Sequence, residues 1–323
     1  MKKLLAIVCA AMMLLSMTAC GGGQTADGGD DSYVVGICQL APHVALDAAT
    51  EGFMQALKDE LGDKVSFDLQ NAAGDANTCV TIATSFVSKD VDLIMANATP
   101  ALVAAYNATE DIPILGTSVT EYGVALKLEN FNGTVGGNVS GTSDLAPLNE
   151  QAAMVKEWFP EAKNVGLLYC SAESNSKYQV DTVQTELEKL GYTCTQYAFT
   201  DSNDIQAIAQ KAVEASDVIY VPTDNTAANN APVIREVCTQ GEKKVPVIAG
   251  EEGICGGCGV ATLSISYYDL GYTTGKMAAK VLTGEGDIST MAVAYSETFT
   301  KKYNKEICDE LGLTPPEGYV AIG

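Results

Sequence analysis

Residues 33–57, YVVGICQLAPHVALDAATEGFMQAL, change hydrophobic period within one short segment. Tyr33 to Cys38 is a brief apolar run of the kind a sheet buries on both faces. Leu46, Ala49, Phe53 and Leu57 then fall on one stripe of a helix over residues 44–61. The same unit recurs downstream. Strands are expected at 65–69, 91–95 and 112–115, with helices at 75–87 and from Thr99, a good N-cap before Pro100. A Gly/Asn-rich stretch, Asn130 to Ser143, interrupts the rhythm, which then restarts. Helices near 147–159, 177–190, 203–215 and 229–240 alternate with strands at 165–169, 193–199, 218–221 and 245–248. Strands separated by crossover helices build parallel sheets, so the fold class is α/β with two Rossmann-like lobes.

After residue 260, a strand to Ile265, a helix at 268–282, a strand near 292–298 and a helix near 303–311 are too few for a third domain. They are used most economically by crossing back over the first lobe and again to the second. The expected bounds are 33–141 with 266–294 for the N-terminal lobe and 142–265 with 295–323 for the C-terminal lobe. Such lobes leave an interlobe cleft faced by the C-terminal strand ends of both sheets, where ligands of open α/β sheets bind.

The 323 residues carry 41 acidic against 19 basic side chains, a net charge of −22, which disfavours nucleic acid and anionic membrane surfaces as partners. Apolar residues make up 47%, enough for real cores, which excludes wholesale disorder. There is one histidine (His43), one arginine (Arg235) and one tryptophan (Trp158). A single histidine excludes His-rich metal sites, and no cofactor or metal is expected.

Residues 1–20 read as an export signal: Lys2 and Lys3, an apolar run from Leu4 to Leu15 too short to span a bilayer, then Met17-Thr18-Ala19-Cys20. Small residues before a cysteine resemble the lipobox of bacterial lipoproteins, which implies lipidation of Cys20. Residues 21–32 are Gly-, Asp- and Ser-rich, a flexible tether. Of the remaining cysteines, Cys38 and Cys170 sit in apolar strand patterns and pack as small hydrophobes. Cys255-Gly-Gly-Cys258 is the one close pair; a lone CxxC is poor support for zinc, and a local disulfide is the alternative.

Several motifs fail on inspection. Gly271-Tyr-Thr-Thr-Gly275-Lys276 has three residues between its glycines and Met277 after the lysine, so it is no phosphate loop. Glu251 and Glu252 are adjacent on an expected strand end and would point to opposite faces, against a cooperating carboxylate pair. What remains is polar residues at strand-to-helix turns: Gln39 and His43; Asn97 and Thr99; Ser118 and Thr120; Glu173, Asn175 and Ser176; Asp224 and Asn225; Glu251 and Glu252. Helix N-termini there would suit a carboxylate, Asp224 or a neighbouring Glu an ammonium, and Tyr267 or the His43 ring an aromatic body.

Seven segments in order carry a resemblance: Gly36-Ile-Cys-Gln39 with His43-Val-Ala-Leu-Asp47, Ala98-Thr-Pro-Ala101, Asn138-Val-Ser-Gly-Thr-Ser-Asp144, Leu168-Tyr169, Glu173-Ser-Asn-Ser176, Tyr220-Val-Pro-Thr-Asp-Asn225, and Gly259-Val-Ala-Thr262 with Tyr267-Tyr-Asp-Leu-Gly271. Through them the chain resembles the substrate-binding lipoproteins of ABC importers, in the group of tryptophan- and tyrosine-type binding proteins. The resemblance implies the type I periplasmic-binding-protein fold. It places pocket positions on Gln39, His43, Thr99, Thr120, Glu173, Asn175, Ser176, Asp224, Asn225 and Glu251. It implies an extracytoplasmic, lipid-anchored monomer that captures a small amino acid, with an aromatic side chain, by hinge closure and delivers it to an ABC permease. Its contact with the membrane would be through the anchor alone, and no bond is broken, so no enzyme activity is expected. A nucleobase or nucleoside ligand, or a ligand-sensing domain for a membrane receptor, are the other readings.

Overall fold

The computed structural model describes residues 32–322; the signal segment, Cys20 and the tether up to Asp31 lie outside the described residues. The chain opens with β1 (Tyr33–Gln39), α1 (Val44–Leu61), β2 (Val65–Asn71), α2 (Ala76–Ser88), β3 (Leu93–Asn97), α3 (Thr99–Ala108), β4 (Ile114–Val119), α4 (Tyr122–Leu126) and β5 (Val139–Ser143). It continues with α5 (Leu148–Trp158), β6 (Asn164–Cys170), α6 (Ser174–Lys189), β7 (Thr193–Phe199), α7 (Ile205–Ala215), β8 (Val218–Val221), α8 (Asn225–Asn229), α9 (Ala231–Thr239), β9 (Val247–Ala249), α10 (Glu252–Cys258) and β10 (Ala261–Ser264). The last elements are α11 (Tyr267–Leu282), β11 (Ala294–Tyr295), β12 (Thr300–Tyr303), α12 (Lys305–Leu311) and β13 (Val320–Ala321).

These strands form two sheets, one per lobe. The first has the order β11-β5-β4-β3-β1-β2 and is parallel throughout. The second has the order β13-β12-β10-β9-β8-β6-β7, parallel except where β12 runs against β10. The chain therefore passes between the sheets after β5, after β10 and after β11. Assigning each segment to the sheet it joins carries β5 to Ser143 and β11 to Tyr295, a residue or two past the lobe bounds read from the sequence.

Local differences have local causes. The helix expected at 229–240 is α9, which starts at Ala231 with Pro232 in its first turn; the short α8 before it, capped by Asp224, is a separate helix not expected from the sequence. Proline has no N–H for a continuing helical ladder, so the break falls there. The strand expected near 292–298 is the short β11 of the first sheet, and the short β12 that follows it, in the second sheet, lies beyond the expected span. Each has four residues or fewer, too short for a hydrophobic period to separate them. Glu251 and Glu252 stand at the start of α10 rather than on a strand, so the face argument that separated them does not apply.

The rejected phosphate-loop lookalike has a packing role. Gly271 and Gly275 lie on α11, and a Cβ on Gly271 would sit 1.9 Å from the Ala49 carbonyl oxygen of α1. From the other side, a Cβ on Gly52 would sit 2.1 Å from the Tyr268 carbonyl oxygen. The two helices thus touch backbone to backbone, and below them Phe53, Leu57 and Ala278 pack with Met95 and Leu115. Beside this contact the buried Thr274, Thr142 and Thr117 hydroxyls form a chain with spacings of 2.8 and 3.2 Å. The segment that returns from the second lobe is therefore fixed rigidly to the first. Among the described residues, no helix is long and apolar enough to cross a membrane.

Because nothing in this contact can yield except backbone, Gly271→Ala should destabilise the protein by about 1–3 kcal/mol, the usual range for overpacking. Thermal unfolding followed by circular dichroism will show it as a lowered midpoint; an unchanged midpoint would mean that the helices can move apart freely.

Candidate functional site

Parallel strands point their C-terminal ends to one edge, and the two sheets present those edges to each other. From the first lobe come His43 before α1, Ser118 and Thr120 at the end of β4, Asp144 just after β5, and Tyr267 at the start of α11. From the second come Asn175 in the first turn of α6, Thr223, Asp224 and Asn225 around the start of α8, and Glu251 before α10. They close around a cavity of about 10 Å³, room for roughly one water molecule. A second groove of about 790 Å³ lies beside it along the crossings; Ala45, Glu251 and Tyr267 line both.

Of the residues singled out from the sequence, His43, Thr120, Asn175, Asp224, Asn225, Glu251 and Tyr267 line the inner cavity. Gln39, Thr99, Glu173 and Ser176 do not. Gln39 is a strut inside the first lobe: its Nε2 donates to Asp47 Oδ1 (2.6 Å) and Ala41 O (2.8 Å), and its Oε1 accepts from Thr50 Oγ1 (2.7 Å). Thr99 is buried in the first turn of α3, and Ser176 is buried behind Asn175, from whose Nδ2 it accepts at 3.3 Å. Glu173 stands one layer back, holding the start of α8. Asp144 and Thr223 were not assigned to a pocket from the sequence. Asp144 follows β5, which lies in the Gly/Asn-rich stretch where the sequence shows no strand pattern, so it was not recognised as a strand-to-helix residue like the others.

Helix starts explain how the buried acids are held. Asp224 caps α8, Oδ1 accepting from Ala227 N and Oδ2 from Cys170 N, both at 2.7 Å. Glu173 accepts from Thr226 N (2.9 Å) and Oγ1 (2.8 Å) on Oε1, and from Asn225 N (3.1 Å) and Nδ2 (2.7 Å) on Oε2. Glu251 caps α10, accepting from Gly253 N at 2.6 Å and from Ile254 N. The N–H groups expected to greet a ligand carboxylate at α8 and α10 are therefore used by the protein's own acids. The start of α1 is different: its N-cap residue His43 makes no side-chain cap, and Ala45 and Leu46 of its first turn line the cavity.

His43 joins the lobes. Its Nε2 lies 3.2 Å from Asn225 Oδ1, and since Asn225 Nδ2 is committed to Glu173, the amide oxygen must face the ring. The imidazole then carries its proton on Nε2 and donates. Burial holds its pKa below the ordinary value, against the Asn225 bond, so it is neutral at pH 7. No lysine or arginine is among the described residues lining the cavity. The one arginine, Arg235, pairs with Glu306 (2.7 Å) and Glu310 (3.1 Å) instead.

Backbone strain also gathers here. Ser118 has φ +54°, a left-handed conformation that serine seldom adopts, two residues before Thr120. The cysteines take no part: all eight in the described residues are free, and burial raises the thiols of Cys255 and Cys258 inside the second lobe. Among the described residues, no three His, Cys, Asp or Glu side chains converge as a metal site.

Burial pushes the Glu251 carboxyl up to about 7, against the pull of its two N–H bonds. Burial, then the charge of Glu173, raises Asp224; burial raises Asp144, opposed by the Tyr267 phenol and the Thr120 hydroxyl. A carboxyl whose folded pKa lies above its unfolded one binds an extra proton on folding, so the fold is increasingly penalised as pH rises from about 4 through about 7. Thermal scans of the ligand-free protein should therefore give a lower midpoint at pH 8 than at pH 5, by roughly 2–4 °C for each kcal/mol lost. A midpoint that rises over this interval would contradict the assignment.

Known proteins resemble this chain over most of its length. A tyrosine-binding protein of Clostridioides difficile (strain R20291) is 37% identical over 313 residues, 92% of this chain and 89% of that one. The crystal structure of an ABC domain from Streptococcus pneumoniae in complex with L-Trp matches with a TM-score of 0.84 at 32% identity, covering 90% of this chain and all (100%) of that one. A ligand-free, open structure of a substrate binding protein with adhesive properties from Clostridium difficile gives 0.68 at 38% identity, covering 90% and 99%. That structure is described as open, whereas the cavity here is shut. Residues 34–321 match the family described as ABC transporter substrate binding protein, and the chain belongs to that family.

Proposed function

We propose that this substrate-binding protein captures an amino acid with an aromatic side chain and hands it to an ABC permease. The observation that carries the reading is the charge pattern of the cleft: buried acids, a neutral histidine, and no lysine or arginine among the described lining residues. Such a lining disfavours a purely anionic solute and suits one that brings its own cation. The relatives named for tyrosine and crystallised with L-Trp point to an amino acid. In this reading the ligand's carboxylate meets the uncapped first turn of α1 and the Thr120 hydroxyl, using N–H groups that no side chain caps. An aromatic amino acid is far larger than the cavity of about 10 Å³, so the lobes must part to admit it and rest against it on closing. Contacts from both lobes exist together only in the closed form, so binding shifts the equilibrium toward closure.

Isothermal titration of the mature protein with a panel of amino acids, nucleosides and sugars tests this. Binding of L-tyrosine, L-tryptophan or L-phenylalanine is the expected outcome; binding of a nucleoside with no amino acid would transfer the site to the alternative ligand class.

Anchoring by Cys20 and residence as a monomer outside the cytoplasm belong to the same reading, with the tether of residues 21–32 giving the lobes reach above the membrane. Cys20→Ser should move the protein from the membrane fraction to the soluble extracytoplasmic fraction without changing ligand affinity. Retention in the membrane would show that the thiol is not the anchor point.

A further inference from the structure

Four carboxylates are buried at the interlobe seam or one layer behind it: Asp144, Glu173, Asp224 and Glu251. Three are fully engaged. Glu173, Asp224 and Glu251 each have both oxygens bonded to N–H or hydroxyl donors of their own lobe. Asp144 is different. Its Oδ2 accepts from the Tyr267 hydroxyl at 2.9 Å and the Thr120 hydroxyl also favours its charged form, but its Oδ1 is buried with no partner in hydrogen-bonding geometry.

A second orphan oxygen belongs to a residue of the other lobe that lines the same cavity. Asn175 Nδ2 lies within reach of Thr223 O (3.1 Å), Glu173 Oε2 (3.2 Å) and Ser176 Oγ (3.3 Å), which fixes the orientation of the amide. Its Oδ1 is thereby left buried without a partner. Ser118 Oγ is a third such atom. Asp144, Asn175 and Ser118 are each at least nine-tenths buried, and all three line the same cavity. A buried acceptor without a donor is destabilising, so three around one cavity mark a place built for donors.

We propose that Asp144 and Asn175, one from each lobe, form the clamp that selects a ligand bearing a primary ammonium group. The inference rests on the amino-acid reading and adds the residues that decide it. A primary ammonium has three N–H donors and a positive charge. Asp144 supplies the counter-charge and one acceptor, Asn175 a second acceptor, and the Ser118 hydroxyl can take the third. Glu251 and Asp224, nearer at hand by sequence expectation, are set aside because each of their oxygens already accepts from a backbone N–H of the second lobe. Tyr267 acquires a defined part as well: its hydroxyl donates to Asp144 and keeps Oδ1 turned to the cavity, which makes it a positioning residue rather than a stacking surface. Since the two acceptors belong to different lobes, an ammonium can satisfy both only when the lobes are closed.

The test compares L-tryptophan with 3-indolepropionate, the same body without its ammonium, by calorimetry on the wild-type mature protein and on Asp144→Asn and Asn175→Ala. Asp144→Asn keeps the shape and the acceptor for Tyr267 but removes the charge. The wild type should prefer L-tryptophan, and Asp144→Asn should weaken L-tryptophan binding by about 30-fold or more while changing 3-indolepropionate by less than about threefold. Asn175→Ala should erode the same preference to a smaller degree, and it carries the test if Asp144→Asn does not fold by circular dichroism. Unchanged discrimination in the variants, with the wild type still binding L-tryptophan, would overturn the clamp alone. A wild type that binds none of the aromatic amino acids would overturn the amino-acid reading and the clamp with it.

Discussion

A carboxylate taken out of water must find donors or a counter-charge, and the interlobe seam of this protein is arranged around that demand. An unpaired buried charge is costly by several kcal/mol. Glu173, Asp224 and Glu251 answer it with the free N–H groups of α8 and α10, where the helix dipole adds to the hydrogen bonds. The bargain works in both directions. The acids gain donors, and two short helices of five and seven residues, too short to be stable alone, gain defined starting points at the cleft. One face of the second lobe is thereby held rigid from within, leaving little of its hydrogen-bonding capacity for a guest.

The first lobe is organised by close contact instead. Gly52 and Gly271 let α1 and α11 meet at their backbones, so the segment returning after β10 has no freedom to slide. Its first residue, Tyr267, reaches Asp144 directly after β5, which ties two of the three crossings together at the cleft. Motion between lobes that are each this tightly packed must be absorbed by the crossings, as in hinge closure. The lower TM-score of the more identical, open relative fits rigid lobes in a different mutual disposition.

The alternation of strand and helix periods was legible because parallel sheets covered on both faces bury nearly every strand residue, as in β3 and β4. The five-residue α4 and the two-residue β13, by contrast, left no periodic trace. The polar turn residues were legible as a class, since caps and cleft residues share one chemistry, Asx and Glx side chains at helix starts. For the same reason sequence could not tell caps from contacts. Gln39 and Ser176 proved to be internal braces, and Glu173 holds α8 from behind. Asp144, which does reach the cavity, follows a strand hidden in a Gly/Asn-rich stretch and carried no such signal.

By itself, then, the order of residues determined two α/β lobes and a cleft rich in acids and poor in cations, because hydrophobic period and charge are local properties of the chain. Which acids are spent on helix starts and which keep an open lone pair was decided only by the tertiary structure. Hydrogen-bond satisfaction depends on partners such as Cys170 for Asp224 and Thr226 for Glu173, more than fifty residues away. No pattern along the sequence reports what stands across a closed seam.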